Sequence, residues 1–114
     1  MRHLKKAKIG KGRDHARKLV RALASSTIVY EKIQTTEARA KIARQLVEKM
    51  ITKGKKGGLT AIRLLARDLP RNAVKKVLEV YAPRYQSRPG GYTRLIHAGR
   101  YKDGTAKVLL EFIK

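Results

Sequence analysis

Apolar side chains recur at helical spacing in four stretches of this chain. In the first stretch, Ala16, Leu19, Val20 and Leu23 follow the i, i+3, i+4, i+7 pattern of one helix face. This periodicity, together with turn residues at the ends of the stretches, predicts four helices, over residues 14–25, 37–53, 59–69 and 72–81.

The ends of these helices carry start and stop signals. Thr36 is predicted to cap the second helix and Gly54 to end it. The third helix is predicted to end at Pro70. The fourth is predicted to end before Pro83, because the residue that precedes a proline is biased away from the helical conformation.

Three further stretches are β-branched or alternate between apolar and polar residues, and they predict strands. The first covers residues 28–35, and the others cover residues 92–98 and 107–113 on either side of the hairpin signal Asp103-Gly104. The element order is helix, strand, three helices, two strands. With helices on one face only, it predicts a two-layer α+β domain with a small mixed sheet over residues 14–114.

The net charge of the chain limits the classes of partner that it is expected to bind. The 114 residues include 29 Lys plus Arg against 8 Asp plus Glu, a net charge of +21, and the 42% hydrophobic share is enough for a core. Such a surplus repels itself, and a polyanionic partner relieves it. No apolar run approaches the ~18 residues of a membrane span, and the N-terminus lacks the apolar core of a secretory signal. We therefore expect no membrane partner and a cytoplasmic location.

The positive charge lies in three acid-poor runs. Residues 1–13 have little to bury and are predicted to be a basic arm, extended along its partner. Residues 53–58 are predicted to be a glycine-punctuated basic loop, and residues 83–102 contain no acid at all. A single run of this kind is usually a solvated face, but three in one small domain favour a polyanion.

The third run interleaves arginine with tyrosine and paired glycines. A guanidinium can fork to phosphate, a tyrosine ring can stack on an unpaired base, and Gly90-Gly91 allows close backbone approach. The alternative is that the tyrosines belong to the core and the glycines only make a turn. The predicted RNA-binding residues are Arg2, His3, Lys5, Lys6, Lys8, Lys11, Arg13, His15, Arg17, Arg21, Lys55, Lys56, Arg84, Arg88, Gly90, Gly91, Tyr92 and Arg94.

Catalytic chemistry is not indicated. The chain has no cysteine, its three histidines lack metal-ligand spacing, and Asp14-His15 has no nucleophile elbow to serve. The loop from Gly99 to Gly104 has the glycine spacing of a phosphate-binding loop, but Thr105 stands where lysine is needed. We predict no catalytic residue, no metal, no cofactor and no small-molecule substrate.

Structured RNA is favoured over DNA, because helix-turn-helix spacing, zinc ligands and basic-zipper heptads are missing. Two other classes stay open. A nucleoid-type DNA architectural protein usually needs an apolar dimer face or an intercalating wedge, and neither is visible in the sequence. A basic enzyme acting on RNA needs catalytic residues that the sequence does not offer.

Three motifs resemble the bacterial-type large-subunit ribosomal protein L-seventeen family. They are the opening Met1-Arg-His-Leu, the segment Ile33-Gln-Thr-Thr-Glu-Ala-Arg-Ala-Lys41, and Pro83-Arg-Tyr-Gln-Ser-Arg-Pro-Gly-Gly-Tyr-Thr-Arg94, which is the most specific of the three. The chain departs from the family pattern at Arg13-Asp-His-Ala-Arg17, where the family has Ser-Ser-His-Arg, and in its shorter final hairpin.

The resemblance implies a structural component of the large ribosomal subunit, bound to large-subunit rRNA near the nascent-chain exit region. It further implies neighbouring large-subunit ribosomal proteins as partners, a monomer within the ribosome, and no catalysis.

Overall fold

The computed structural model describes residues 12–114, with side chains from residue 15 onward. The elements are α1 (Gly12–Tyr30), β1 (Lys32–Thr36), α2 (Glu37–Lys56), α3 (Gly58–Ala66), α4 (Arg71–Lys76), a π-helical turn (Val77–Tyr81), α5 (Ala82–Arg84), β2 (Thr93–Arg100) and β3 (Ala106–Phe112). Together α4, the π turn and α5 form one continuous helix, called the rod below. The predicted order and the α+β class are confirmed.

The predicted arm, residues 1–13, lies outside the described residues except for the backbone of residues 12 and 13. That backbone begins α1, so the helix starts two residues earlier than the predicted residue 14.

The sheet has the order β1-β3-β2, and both pairings are antiparallel. The predicted mixed sheet is therefore wrong in that detail. A tight hairpin makes β2 and β3 antiparallel, with Gly104 N–H donating to Tyr101 O at 2.9 Å and Thr105 N–H to the Asp103 carboxylate at 2.9 Å. The β1 strand then pairs with the free edge of β3, also antiparallel, from Lys32 opposite Glu111 onward.

The helix α2 lies between the other helices and the sheet. Its Val47, Met50 and Ile51 are buried in the larger core cluster, which includes α1, α3 and the rod. On its other side, Ala40 and Ala43 are buried against Val108 and Leu110 of β3. Small residues facing the sheet allow α2 to lie close to it, so α2 holds the two layers together.

The predicted strand over residues 28–35 is correct only in its second half. Residues 28–30 continue α1, and only residues 32–36 form β1. Ala24, Thr27 and Ile28 are all 0% exposed and share one helix face, and the Thr27 hydroxyl donates to Leu23 O at 2.7 Å. Burial of this face overrides the strand preference of β-branched residues.

Distant side chains satisfy the last carbonyl groups of α1. The Tyr81 hydroxyl donates to Ile28 O at 2.6 Å, and Lys76 Nζ donates to Val29 O at 2.7 Å. Glu31 then adopts φ 68° and accepts from Phe112 N–H at 3.2 Å, which turns the chain into β1. The last carbonyl groups of a helix lack an intrahelical donor, so when they are buried they need donors from elsewhere in the protein.

The cap at Thr36 is confirmed, because its hydroxyl accepts from Arg39 N–H at 3.4 Å. The predicted stop at Gly54 is wrong, and so is the predicted loop over residues 53–58. Helix α2 continues to Lys56, with Gly54 buried inside it and Lys53, Lys55 and Lys56 in its last turn. Cations in that turn complement the negative end of the helix dipole.

The predicted end before Pro83 is also wrong, since the rod stays helical to Arg84. Just before the proline, the wider π turn changes the hydrogen-bond register, so that Ala82 N–H donates to Val77 O, five residues back. Tyr85 N–H donates to Tyr81 O at 3.0 Å beyond it. We attribute the tolerance of Pro83, which has no N–H, to this local change of register.

We expect Gly54→Ala to destabilise the fold. An added Cβ would lie 2.6 Å from Val77 Cγ1, the end of a short branched side chain that is fully buried. Overpacking of this kind costs about 1–3 kcal/mol, and the better helix propensity of alanine returns about 1 kcal/mol. Urea unfolding should therefore show that the free energy of unfolding falls by about 1 kcal/mol. Gly90→Ala, which meets nothing within 4 Å, is the control, and equal stability of the two variants would contradict the packing argument.

We expect Tyr81→Phe to cost about 1–3 kcal/mol, because it leaves the buried Ile28 carbonyl without a donor. Burial raises the pKa of the Tyr81 hydroxyl, so the hydroxyl keeps its proton and remains a donor at neutral pH. The control is Tyr30→Phe, because Tyr30 is 72% exposed. This variant should change the free energy of unfolding by less than ~0.5 kcal/mol. Chemical denaturation of both variants checks this.

Candidate nucleic-acid interface

One lysine joins the second and third basic runs of the sequence. Lys55 Nζ, in the last turn of α2, donates to Arg88 O at 2.5 Å and to the Tyr92 hydroxyl at 3.1 Å. The same ammonium lies 5.1 Å from the centroid of the Tyr92 ring. Residues more than 30 positions apart in the chain therefore form one continuous surface.

A carboxylate fixes the chain where this surface meets β2. Glu48 Oε2 of α2 accepts from Thr93 N–H at 3.2 Å and from the Thr93 hydroxyl at 2.8 Å. Arg44 donates to Thr93 O at 3.3 Å and lies 3.5 Å from the Glu48 carboxylate. With a charged acceptor, such bonds are stronger than those between neutral groups. They hold the segment against α2.

The structure places Tyr92 in the core. Its side chain is 1% exposed, and its ring lies 5.2 Å from that of Tyr85 between centroids. Burial raises the pKa of the Tyr92 hydroxyl, but hydrogen bonds with Thr52 and Lys55 outweigh this effect and hold the pKa below its ordinary value. The predicted stacking on an RNA base is wrong, because neither face of the ring is open. Tyr92 instead anchors the segment.

The two glycines before Tyr92 are exposed and have open space around them. A Cβ at Gly90 or Gly91 would meet nothing within 4 Å, and Gly91 has φ 64°, which favours glycine. Arg88 Nη1 donates to Gly91 O at 3.4 Å across the turn. The backbone here is open to close approach by a partner.

Next to the glycines lies an open hollow of about 410 Å³, lined by Gln45, Glu48, Lys49, Thr52, Lys53, Gly90 and Tyr92. We define the α2–Gly surface as the lysines and the glycine that line this hollow, together with the adjoining basic residues of the last turn of α2 and the turn from Arg88 to Gly91. These are Lys49, Lys53, Lys55, Lys56, Arg88, Gly90 and Gly91.

Three of the predicted arginines are paired with acids. Arg21 Nε lies 2.9 Å from Asp68, and Arg94 Nε lies 2.6 Å from Glu111 on the neighbouring strand. Arg84 Nη1 lies 3.1 Å from Glu31, with its guanidinium over the Tyr81 ring at 5.2 Å. Each guanidinium has five N–H donors and keeps some of them for a second partner. The Arg94 side chain is 59% exposed and the most accessible of the three.

The remaining predicted residues are not brought to the α2–Gly surface by any contact among residues 15–114. His15 and Arg17 are exposed on α1, as is Arg21. The backbone of Arg13 belongs to α1, and its side chain lies outside the described part of the structure. Arg2, His3, Lys5, Lys6, Lys8 and Lys11 lie outside the described residues.

The predicted RNA-binding residues omit Lys49 and Lys53, although Lys53 begins the predicted basic run over residues 53–58. Lys41, Gln45, Lys49, Thr52 and Lys56 are all exposed and follow helical spacing on one face of α2, and this spacing could have identified the face. Within residues 15–114, the structure offers no group of three acidic or histidine side chains that could hold a metal. No helix in the same range is both long and apolar enough to span a bilayer.

The chain is similar to known proteins along nearly its whole length. The family model described as Ribosomal protein L17 matches residues 19–113. A relative named Large ribosomal subunit protein bL17, from Syntrophotalea carbinolica, is 42% identical over 117 residues, covering 100% of this chain and 76% of the relative.

Two further relatives carry the same name. The protein from Caldanaerobacter subterraneus subsp. tengcongensis is 45% identical over 108 residues, covering 93% of this chain and 96% of its own length. The protein from Bradyrhizobium diazoefficiens is 42% identical over 116 residues, covering 99% of this chain and 84% of its own.

We expect Glu48→Ala to loosen the start of β2 from α2. The Thr93 N–H and hydroxyl both lose their charged acceptor, which costs about 1–3 kcal/mol and speeds hydrogen exchange at the Thr93 amide. Glu79→Ala removes the same charge from an exposed position of the rod and should change neither quantity. An unchanged Thr93 exchange rate in Glu48→Ala would show that the carboxylate does not hold the segment.

Proposed function

The chain belongs to the ribosomal protein L17 family, and from this premise we propose that it is a structural component of the large ribosomal subunit that binds large-subunit rRNA through the α2–Gly surface. Membership in the large subunit, and with it a role in translation as part of a ribonucleoprotein, follows from the family. The contact with rRNA and the surface that makes it are our inference.

The observation that carries the proposal is the position of Lys55. By bonding to Arg88 O and to the Tyr92 hydroxyl, it joins the basic end of α2 to the exposed Gly90-Gly91 backbone. A cationic surface with an open backbone beside it suits a phosphate chain, since side chains neutralise charge while backbone groups approach closely. Arg88 contributes the planar donors that fork to phosphate.

Arg94 and Arg84 are proposed as secondary contacts, because Glu111 and Glu31 already occupy part of each guanidinium. The residues of the N-terminal run and of α1 remain proposed contacts on grounds of charge. A position near the nascent-chain exit region, with ribosomal proteins as neighbours, and a monomeric state within a cytoplasmic ribosome rest on the family resemblance.

We expect the double variant Arg88→Ala/Lys56→Ala to bind purified large-subunit rRNA more weakly and with less salt dependence. The loss of two phosphate contacts should flatten the slope of log affinity against log salt by about 1.4–1.8, using ~0.7–0.9 per contact. Filter binding over a range of salt concentrations measures this slope, and melting of each variant separates weaker binding from unfolding.

The matched control is Arg63→Ala/Lys75→Ala, which removes the same charges from exposed positions of α3 and α4. Its slope should equal that of the unchanged protein. If both double variants lose the same amount, binding depends on total charge and the proposed surface is wrong.

A further inference from the structure

A second basic cleft lies at the other end of α2, between its first turn and the β2–β3 hairpin. Its volume is about 1070 Å³, and it is lined by Thr35, Thr36, Ala38, Arg39, Arg100, Tyr101, Lys102, Asp103, Thr105 and Lys107. Pockets for small molecules usually measure about 300–1,000 Å³. This cleft is slightly larger and open to solvent, and four of its ten lining residues are cations, which suits a segment of an anionic polymer.

The cations of the cleft are not neutralised by the fold. Within residues 15–114, none of the four cations Arg39, Arg100, Lys102 and Lys107 lies within 4.0 Å of a carboxylate. The one acid in the lining, Asp103, accepts from Thr105 N–H at 2.9 Å, and this bond holds the pKa of its carboxyl below the ordinary value. The nearby Glu37 carboxylate is bound to Lys41 at 3.1 Å, and Lys41 first and Arg100 to a smaller extent lower its pKa. A surplus of positive charge in the cleft is therefore open to an anion.

The strand β2 is built to direct one of these cations into the cleft. Between His97 and Arg100 it contains a β-bulge, so that His97 lies opposite Val108 but Arg100 lies opposite Ala106. Gly99 has φ 101°, which only glycine adopts readily. Bulges re-aim side chains next to functional sites. Here Arg100 also donates to Gly104 O at 2.7 Å, which holds the hairpin loop at the rim.

Tyr101 gives the cleft an aromatic surface as well. It is partly exposed, unlike the buried Tyr92, and Lys107 Nζ lies 5.1 Å from its ring centroid. Accessible aromatic rings beside cations allow an unpaired base to stack while its phosphates are neutralised. Tyr101, rather than Tyr92, is therefore the ring that is exposed in part to a partner.

The two basic sites are at fixed separation. The strand β2 begins at Thr93 beside the α2–Gly surface and ends at Arg100 in the cleft, a span of about 23 Å at ~3.3 Å per residue. Helix α2 runs the same course in the opposite direction, with Thr36 at the cleft and Lys55 at the α2–Gly surface. Its 20 residues span about 30 Å.

We propose that the cleft binds a second, single-stranded or bulged segment of RNA, so that the protein bridges two RNA segments held about 25–30 Å apart by α2 and β2. This inference rests on the proposed function, because it assumes that the α2–Gly surface holds the first segment.

Because the sequence contains no cysteine, a single introduced cysteine provides a unique point of attachment for a chemical probe. Lys102→Cys in the cleft, Lys56→Cys at the α2–Gly surface and Lys75→Cys on α4 are each tethered to iron-EDTA. Each full-length protein is then assembled into large subunits, and hydroxyl-radical cleavage of the rRNA is mapped.

We expect strong cleavage from positions 56 and 102 at two different places in the rRNA, and weak cleavage from position 75. Cleavage from position 56 but not from position 102 overturns the bridge and leaves the proposed function intact. Absence of cleavage from both positions contradicts the proposed function itself. A cross-linker at position 102 that reaches only protein also overturns the bridge, because the cleft then holds a neighbouring chain.

A binding measurement complements the map. Arg39→Ala/Lys102→Ala removes two exposed cleft cations that make no side-chain bond among the described residues, and it should flatten the salt slope on large-subunit rRNA by about 1.4–1.8. The control Arg63→Ala/Lys75→Ala should leave the slope unchanged. Equal slopes for the cleft variant and the unchanged protein would falsify the second site.

Discussion

The Tyr81 hydroxyl bound to the Ile28 carbonyl is the contact on which the rest of the fold depends. It closes α1, while the Tyr81 ring stacks on Phe112 of β3 with centroids 4.0 Å apart. Tyr85, directly after the end of the rod, donates to Ile113 O and packs against Tyr92. One aromatic group therefore joins α1, the rod, β3 and the start of β2. The Gly90-Gly91 backbone is exposed next to this junction because Tyr92 is anchored in it.

This chain has only 8 acidic residues, and their positions determine which basic side chains remain available to bind a partner. Glu31, Glu48 and Glu111 each lie at a junction between elements, where they bind Arg84, the start of β2 and Arg94. Cations near these junctions therefore contribute to folding before they contribute to binding. Glu48 lies beside the α2–Gly surface but is paired with Arg44 and Thr93. Among residues 15–114, the cations of this surface and of the cleft form no ion pair, so their charge remains for a polyanion to neutralise.

Sequence reasoning succeeded where a few neighbouring residues decide the structure, as at the Thr36 cap and the Asp103-Gly104 hairpin. It failed where the deciding group lies far along the chain. Ile28 is helical because its side chain is buried in the core cluster, and Tyr81, 53 residues away, satisfies its carbonyl. Gly54 does not end α2, because burial against Val77 keeps the backbone helical. For the site, the basic runs could be predicted, but the burial of Tyr92 and the cleft could not, since both require the sheet register.

The same deviation at Gly54 sets the geometry of the candidate sites. A helix that ended at Gly54 would leave Lys55 in a loop, with no fixed position from which to bond both Arg88 and Tyr92. Because α2 is capped at Thr36 and packed tightly at Gly54, its first and last turns are both ordered. The cleft and the α2–Gly surface, at its two ends, are therefore held at a fixed separation. Positive charge alone would bind RNA without fixing the separation between two bound segments. With a rigid helix between its two sites, the protein can also select RNA by the distance between the two segments that it binds.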